Sequence, residues 1–532
     1  MYMIILAFTC ALFWLLVIWR FNHWKRKGVP QLDVWTALVN NFKGILQYVS
    51  VADNVTQIHC AFPETRYTGA YQFLSPILFI RDPELIKQIM IKDFEHFVDH
   101  RQIMTEECEP LWGKNLLSLK GDKWKFMRAT LSPSFTSSKM KAMFEFMSEC
   151  AYNFVRHFEG ESKTITVELK DFFTRYTNDV IASAAFGLSC NSVKERDNEF
   201  YEMVKEATNL TGFLTNLKFL SVMISPTLSK ILGVHLFDNK ITTFFRRLVK
   251  ENIESREKSG IVRMDMIHLL MEARKGELKH DEEFEHKSES FTVVQEHQKN
   301  KTQYDSKLLT DDDLTAQALI FLLAGFDTVS ALICFASYEL AIDPIIQNKL
   351  QDEIDTTLQE CKGRVTYDAL MKMEYMDMVV SETYCCCLGW PATGVTDRVC
   401  VKPYTIEPVK EGEKPVHIKK GELIWVPIYA IHRDENLYPE PERFNPERFS
   451  HENKSSIRSY TYLPFGLGPR ACIGNRFALL EAKTLLFYVL SKFDIVVVDK
   501  SVIPLKISPK QFTLTAEHGF WFGFKPRVAN VK

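Results

Sequence analysis

The first long apolar run covers residues 1–19, which contain no charged side chain. As a helix with a rise of about 1.5 Å per residue, it would be about 28 Å long and would match the hydrocarbon core of a bilayer. Four basic residues follow within 20–27, and positive charge stays on the cytoplasmic side of a membrane. We predict an uncleaved transmembrane anchor over 1–19, a basic, proline-ended linker over 20–30, and one domain over 31–532. A cleaved signal peptide is the alternative, although no basic segment precedes the run.

Three other apolar patterns predict elements of the domain. Residues 475–492 carry apolar side chains at roughly helical spacing, which predicts an amphipathic helix. Residues 314–340 are apolar nearly all round, which predicts a buried central helix. The run 71–80 is followed by Arg-Asp-Pro at 81–83, which predicts a strand and then a helix.

Composition narrows the class of protein. The 532 residues are 46% hydrophobic, which is ordinary for a globular protein with a sizeable core. The net charge of −2, without a long basic run, argues against a nucleic-acid binder. The twelve cysteines are scattered and show neither a disulfide framework nor zinc-ligand spacing, so a reducing compartment is expected.

A single cysteine, Cys472, stands in the glycine-bent loop 465–474, directly before the predicted helix 475–492. Free amide donors at a helix start, together with the positive charge of Arg470, are expected to favour its thiolate. One cysteine without partners cannot form a zinc site, whereas haem iron accepts a single axial thiolate. The alternative is a buried structural thiol.

The segment 324–328, Ala-Gly-Phe-Asp-Thr, lies inside the predicted central helix. A carboxylate in a buried helix is costly unless it is paired or used, and Gly325 costs about 1 kcal/mol relative to alanine. Two local penalties together indicate a functional site. In the alternative interpretation, a distant Arg neutralises Asp327 and Thr328 bonds back to its own helix.

The loop 465–474 resembles the haem-binding loop of the cytochrome P450 superfamily, and 324–328 resembles that family's oxygen-binding motif. The resemblance implies that Cys472 is the axial ligand of haem b. It implies that Arg470 contacts a haem propionate and that Phe465 packs beside the thiolate. It also implies that Gly325 leaves room for O2 and that Asp327 and Thr328 manage protons.

Further motifs occur in the order that the family would place them. The pair Trp124 and Arg128, four residues apart on one helical face, and Arg398 in Thr-Asp-Arg-Val resemble residues that hold haem propionates. An ordinary amphipathic helix start is the alternative for Trp124 and Arg128. The implied fold is mainly α with a small β-lobe. The similarity is greatest to insect microsomal members that metabolise xenobiotics, which implies an endoplasmic reticulum membrane with the domain on the cytosolic face.

The implied reaction inserts one oxygen atom into a lipophilic small molecule. Electrons would come from NADPH through NADPH–cytochrome P450 reductase, with cytochrome b5 as a further possible partner. The sequence shows no obvious nucleotide-binding glycine fingerprint, so NADPH is expected to bind a separate protein. A haem-thiolate isomerase or dehydratase, which needs no reductase, and a non-catalytic family member remain the alternatives.

One motif departs from the family pattern. Family members place Glu-x-x-Arg on a helix, and both side chains bind a downstream arginine. Glu382 and the downstream Arg448 are present here, but Cys385 stands where the helix arginine is expected. Loss of one member of such a buried network can cost about 3–5 kcal/mol. A direct pair between Glu382 and Arg448 would soften the loss, and either an error in the deduced sequence or a true lesion would explain the cysteine.

Overall fold

The computed structural model describes residues 2–73, 75–260, 263, 265–275, 309–388, 394–511 and 513–527. The chain forms two compact units. We call the first the sheet unit; it comprises Met1–Arg101, Gly389–Pro441 and Ile457–Ala471. We call the second the helical unit; it comprises Gln102–Leu388, Glu442–Ser456 and Cys472–Lys532.

Helices dominate the described residues. They are, in chain order, α1 (Tyr2–Phe21), α2 (His23–Arg26), α3 (Val34–Ile45), α4 (Val51–Cys60), α5 (Pro83–Lys87), α6 (Pro110–Gly113), α7 (Gly121–Leu131), α8 (Ser137–Arg156), α9 (Leu169–Ile181), α10 (Glu199–Thr208), α11 (Phe213–Ile224), α12 (Pro226–Ile231), α13 (Asn239–Ser259), α14 (Met266–Lys275), α15 (Asp311–Ile342), α16 (Pro344–Glu360), α17 (Tyr367–Met371), α18 (Glu374–Glu382), α19 (Ile428–His432) and α20 (Asn475–Lys492).

The strands are few and short. They are β1 (Tyr67–Gln72), β2 (Ser75–Ile80), β3 (Ile165–Glu168), β4 (Thr396–Val399), β5 (Tyr404–Ile406), β6 (Val416–Ile418), β7 (Leu423–Val426), β8 (Phe493–Val496) and β9 (Trp521–Pro526). The predicted fold class, mainly α with small sheets, is therefore confirmed.

The sheet unit is built on a four-stranded sheet in the order β1-β2-β7-β4. β1 and β2 are antiparallel, β2 pairs in parallel with β7, and β7 pairs antiparallel with β4. The single strand predicted over 71–80 is wrong, because the chain turns between β1 and β2. Phe73 takes a φ of 54° there, a conformation that an apolar pattern does not reveal. The predicted helix after Arg-Asp-Pro is present as α5.

The predicted linker 20–30 packs against this sheet. Trp24 is fully buried, and its indole N–H donates to the Ala70 carbonyl at 3.3 Å. A Cβ on Gly69 would lie 2.4 Å from Trp24 Cγ, so only glycine lets the strand approach the indole. Lys27 forms an ion pair of 2.7 Å with Glu422. The segment that follows α1 is thus part of the sheet unit's core.

The helical unit is organised around α15, which is slightly longer than the predicted helix 314–340. A capping box starts it: Thr310 Oγ1 accepts from the Asp313 N–H at 3.2 Å, and Asp313 Oδ2 accepts from the Thr310 N–H at 2.8 Å. α9 and α20 pack on α15, and α20 also packs on α8. α20 has the bounds predicted from the sequence. A second sheet, in the order β3-β9-β8, completes this unit.

Among the described residues, α15 is long and apolar enough to cross a membrane, but 61% of its most apolar window is buried. α15 is therefore a core helix. α1 has 20 residues, and its large apolar side chains include several that are more than half exposed, among them Ile4, Leu6 and Phe8. The transmembrane anchor over 1–19 stays a prediction.

Candidate active site

Cys472 lies at the start of α20, as predicted. Its carbonyl accepts from Asn475 Nδ2 at 2.9 Å, and the Gly474 carbonyl accepts the first helical bond from the Ala478 N–H. Burial raises the pKa of the Cys472 thiol, while the Gly474 N–H and the charge of Arg128 oppose that rise. The expectation that the helix start and Arg470 favour a thiolate is corrected, because burial has the largest effect on the pKa of Cys472 and raises it. A bound metal cation, by contrast, deprotonates a coordinating thiol outright.

α7 presents Trp124 and Arg128 on one face, as predicted from their spacing. Both side chains are buried, with exposed fractions of 1% and 3%. Burial lowers the pKa of Arg128 to about 10, and Cys472 acts in the opposite direction. A guanidinium held so deep is costly, and its stability depends on negative charge nearby. The helical unit therefore brings a buried cation close to the proposed thiolate ligand.

The sheet unit holds the other two predicted arginines. Arg398 on β4 is 1% exposed, and its Nη1 donates to the Asp397 carbonyl at 2.7 Å. Its buried Nε has no hydrogen-bond partner among the described residues, and burial lowers the pKa of the guanidinium to about 10. Arg470 donates from Nε to the Val98 carbonyl at 2.8 Å and lies 3.6 Å from Asp99.

His100 joins this cluster and was missed by the sequence analysis. Its Nδ1 lies 2.8 Å from Asp397 Oδ1. Burial lowers the pKa of His100, and the charges of Arg398 and Arg470 lower it further, which shows that the three side chains share one electrostatic environment. The only sequence signal was the charged run Asp-His-Arg at 99–101, which ordinary surface loops also contain.

The loop that carries Phe465 is bent by glycines, as predicted. Gly466 and Gly468 take φ values of 76° and 75°. A Cβ on Gly468 would lie 2.0 Å from the Met90 carbonyl oxygen, so the close approach of the two backbones requires glycine. Phe465 itself is 1% exposed. Its predicted packing beside a thiolate remains a prediction.

The motif on α15 shows how its two polar side chains are satisfied. Asp327 Oδ1 lies 2.7 Å from Lys170 Nζ of α9, and Thr328 Oγ1 donates to the Ala324 carbonyl at 2.6 Å. The back-bond of Thr328 belongs to the alternative interpretation of the sequence. The neutralising partner, however, is a lysine, not the distant arginine considered there. Ala324 is exposed although most of α15 is buried, so open space faces the motif at this turn.

Gly325 has a packing role that the sequence did not indicate. A Cβ at this position would lie 3.0 Å from Ile181 Cδ1 of α9, which is tighter than ordinary side-chain contacts. The absence of a side chain thus lets α9 approach α15 beside the motif. The predicted role of Gly325 in leaving room for O2 stays a prediction.

In each of the two units, the residues described above fit a haem group. The helical unit offers one half-buried thiol near a buried arginine, and an exposed alanine on its central helix. The sheet unit offers Arg398, whose buried Nε lacks a partner that a propionate carboxylate would provide. Among the described residues, no cluster of three or more His, Cys, Asp or Glu could hold a metal ion.

Glu382, at the end of α18, pairs directly with Arg448. Arg448 Nε lies 3.1 Å from Oε2 and 3.4 Å from Oε1, and the Asn445 N–H donates to Oε1 at 3.0 Å. The Glu382 side chain is 1% exposed. The direct pair considered from the sequence is therefore present.

Comparison with known proteins gives a consistent result. The family model Cytochrome P450 matches residues 42–521. Cytochrome P450 9e2 of Blattella germanica is 45% identical over 539 aligned residues, covering 98% of this chain and 97% of that relative. Probable cytochrome P450 9f2 of Drosophila melanogaster is 38% identical, covering 97% of each. Cytochrome P450 6k1 of Blattella germanica is 34% identical, covering 99% and 98%.

The chain belongs to the cytochrome P450 family. It is a P450-type monooxygenase, an oxidoreductase for which the family implies a haem cofactor. P450 relatives generally use a redox partner and lipophilic substrates.

Against this family pattern, Cys385 leaves Glu382 with one arginine instead of two. Cys385 is buried in the π-helical turn Thr383–Leu388 that follows α18. Burial raises the pKa of Glu382 to about 7; the charge of Arg448 and the Asn445 N–H only partly oppose this, and Glu339 adds to it. Residues 389–393 lie outside the described part of the chain.

The raised pKa of Glu382 makes stability depend on pH. Its ordinary value is 4.5, so the folded state binds this proton more tightly than the unfolded chain does. The resulting stability is fully present below pH 4.5 and is lost as the pH rises through about 7. The difference between the two limits is about 3 kcal/mol, since one pKa unit corresponds to about 1.4 kcal/mol.

We predict that Cys385→Arg raises the thermal unfolding midpoint by several degrees at pH 8 and by clearly less at pH 5. The added guanidinium would stabilise the ionised form of Glu382, which dominates only at the higher pH. Thermal unfolding of the haem-loaded protein at both pH values measures the effect. Cys385→Ser, which adds no charge, is the matched control and should leave the difference between the two pH values unchanged. An equal gain at both pH values, or a loss at both, would contradict the prediction.

Proposed function

We propose that this protein is a membrane-bound haem-thiolate monooxygenase. It inserts one atom of O2 into a lipophilic small molecule, with electrons from NADPH delivered by NADPH–cytochrome P450 reductase. Cytochrome b5 is a further electron donor to test. The substrate class is a xenobiotic or an endogenous lipid or hormone. The observation that carries the proposal is the position of Cys472, alone at the start of α20 and close to the buried Arg128.

The proposed roles of the residues in haem binding are as follows. Cys472 Sγ would bind the haem iron, and Phe465 would pack beside it. Carboxylate groups of the cofactor would pair with the buried guanidinium groups of Arg128, Arg398 and Arg470, and Arg398 Nε has no hydrogen-bond partner among the described residues. Trp124 lies on the same face of α7 as Arg128. Bound haem supplies the iron at which O2 is activated and one oxygen atom is transferred.

Protons for this reaction would pass through α15. Thr328 Oγ1 holds its proton toward the Ala324 carbonyl, and the neighbouring Asp327 is the carboxylate of this motif that would take up a proton delivered through water. An intact Asp327–Thr328 pair speaks against an isomerase or dehydratase, which would need neither protons for O2 cleavage nor a reductase. A non-catalytic protein would require the core around Glu382 to fail, whereas Arg448 still partners it.

We predict that the reduced, carbon-monoxide-bound protein has its Soret band at the long-wavelength position of a thiolate ligand. Cys472→His should move the band to the shorter wavelength of a neutral ligand, because an imidazole donates less electron density to the iron. Cys361→Ser, which alters another half-buried cysteine of the helical unit, should leave the band in place. A short-wavelength band in the unaltered protein, or a long-wavelength band in Cys472→His, would refute the assignment of Cys472.

The membrane part of the proposal rests on α1 and on the basic residues that follow it. Exposed apolar side chains on α1 would be covered by lipid, and the positive charge of 20–27 favours the cytosolic side. We propose the endoplasmic reticulum membrane, with the residues after the anchor on its cytosolic face. The packing of Trp24 on β1 would hold the sheet unit close to the bilayer surface.

We predict that the full chain stays in the membrane pellet after an alkaline carbonate wash, while a variant lacking residues 2–19 is released as folded protein. A variant lacking 2–30 should be released with a lower thermal midpoint, because it also loses Trp24 and the Lys27–Glu422 ion pair. Fractionation and thermal unfolding give the two readouts. Membrane retention of the 2–19 deletion, or release of the full chain, would contradict an anchor over 1–19.

A further inference from the structure

Lys170 is the second residue of α9, and its ammonium group is held by three acceptors on α15. Nζ lies 2.7 Å from Asp327 Oδ1, 3.0 Å from the Asp327 carbonyl oxygen and 2.9 Å from Ser330 Oγ. A lysine ammonium has three N–H donors and no acceptor, so these contacts use all of them. The side chain is 19% exposed. Such a saturated, largely buried ammonium is fixed in one position.

Side chains of α9 donate hydrogen bonds to the backbone of α15 at the same turn. Thr177 Oγ1 donates to the Phe326 carbonyl at 2.8 Å, and Lys170 donates to the next carbonyl, that of Asp327. Ile181 closes the contact from the Gly325 side. The helix that contains the motif is thus positioned by α9, through groups that the sequence motif does not include.

Lys170 also sets the charge of Asp327. Burial alone would raise the pKa of Asp327, but the charge of Lys170 and hydrogen bonds from Lys170 and Thr513 outweigh burial and lower that pKa. Among the described residues, Cys334 is electrostatically coupled to Lys170, Glu168 and Asp327. Glu168 accepts hydrogen bonds from the Asp171 and Phe520 N–H groups, and burial raises the pKa of Cys334 well above its ordinary value, so this thiol is neutral.

We propose that Lys170 is a positioning residue for proton delivery, which holds the Asp327 carboxylate ionised and against α9, separate from the Thr328 hydroxyl. This inference rests on the proposed function, in which Asp327 and Thr328 move protons. For each transfer, Asp327 accepts one proton that solvent hydronium delivers through water, and it then releases this proton, which restores the carboxylate beside Lys170.

The first test measures thermal unfolding of the haem-loaded full chain between pH 5 and pH 9. Without its cation in Lys170→Met, Asp327 becomes a buried unpaired carboxylate whose pKa rises, so the loss of stability should grow as the pH rises. Lys170→Arg should restore the profile of the unaltered protein. Ser330→Ala, which removes one contact of Lys170 but no charge, should lower the midpoint by the same amount at every pH.

A double-mutant cycle assigns the pH dependence to this pair. Introduced into Asp327→Asn, Lys170→Met should produce no pH-dependent loss, because the carboxylate is gone. If the pH-dependent loss persists in the Asp327→Asn background, or if Lys170→Met lowers the midpoint equally at all pH values, the proposed hold on Asp327 is overturned. This readout does not require turnover.

The second test measures NADPH oxidation and hydrogen peroxide release with the reductase across the same pH range. In Lys170→Met, the limb of the rate profile that reports Asp327 should move to higher pH by about 1 unit or more, since a nearby opposite charge shifts a carboxyl pKa by about that much. A purely structural role would lower the rate in parallel at every pH and would overturn the proposal. Absence of NADPH oxidation in the unaltered protein would refute the proposed monooxygenase, whereas the unfolding profiles would still decide the role of Lys170.

Discussion

Burial of charged side chains is the constraint on which this structure depends. An ionised group in a protein core costs several kcal/mol unless an opposite charge or several hydrogen bonds accompany it. Several residues with predicted roles in haem binding, proton handling or core structure are such groups: Arg128 and Arg398 are almost fully buried, and Asp327 and Glu382 are carboxylates inside helical packing. The partners of each buried charge therefore determine its protonation state and the role that it can have.

Asp327 and Glu382 show two different ways in which a buried carboxylate is accommodated. Asp327 is paired with an ammonium whose three donors all reach α15, and this charge together with hydrogen bonds outweighs burial, so the pKa of Asp327 is lowered. Glu382 receives one side of a guanidinium and one backbone N–H, so burial prevails and raises its pKa to about 7. At neutral pH the core therefore changes its protonation at Glu382, while the Asp327 carboxylate keeps its charge. Arg398 Nε, by contrast, has no hydrogen-bond partner among the described residues, and a carboxylate of a cofactor would supply one.

Sequence patterns located the elements of the site but not the contacts between them. The bounds of α20 and the buried character of α15 followed from apolar spacing, and the placement of Trp124 and Arg128 on one face followed from their separation by four residues. Lys170 could not be found this way, since it lies 157 residues from Asp327 and one lysine among many carries no signal. His100 was missed for the same reason. The hairpin of β1 and β2 was missed because a positive φ at Phe73 leaves no mark in hydrophobicity.

Gly325 shows that a motif can be recognised in a sequence although the physical reason for one of its residues is not visible there. The low helix propensity of glycine suggested a ligand-binding site at this position. In the structure, the position that a Cβ would occupy faces Ile181 of α9. Close approach of α9 is what brings Lys170 and Thr177 within hydrogen-bond distance of consecutive carbonyls on α15. A side chain at 325 would require the end of the Ile181 side chain to move, and so would disturb the contact between α9 and α15 beside the Lys170–Asp327 pair. The cost of glycine inside α15 is thus offset by the ion pair that the close packing permits, and the glycine and the aspartate of the motif are linked through a helix that the motif does not contain.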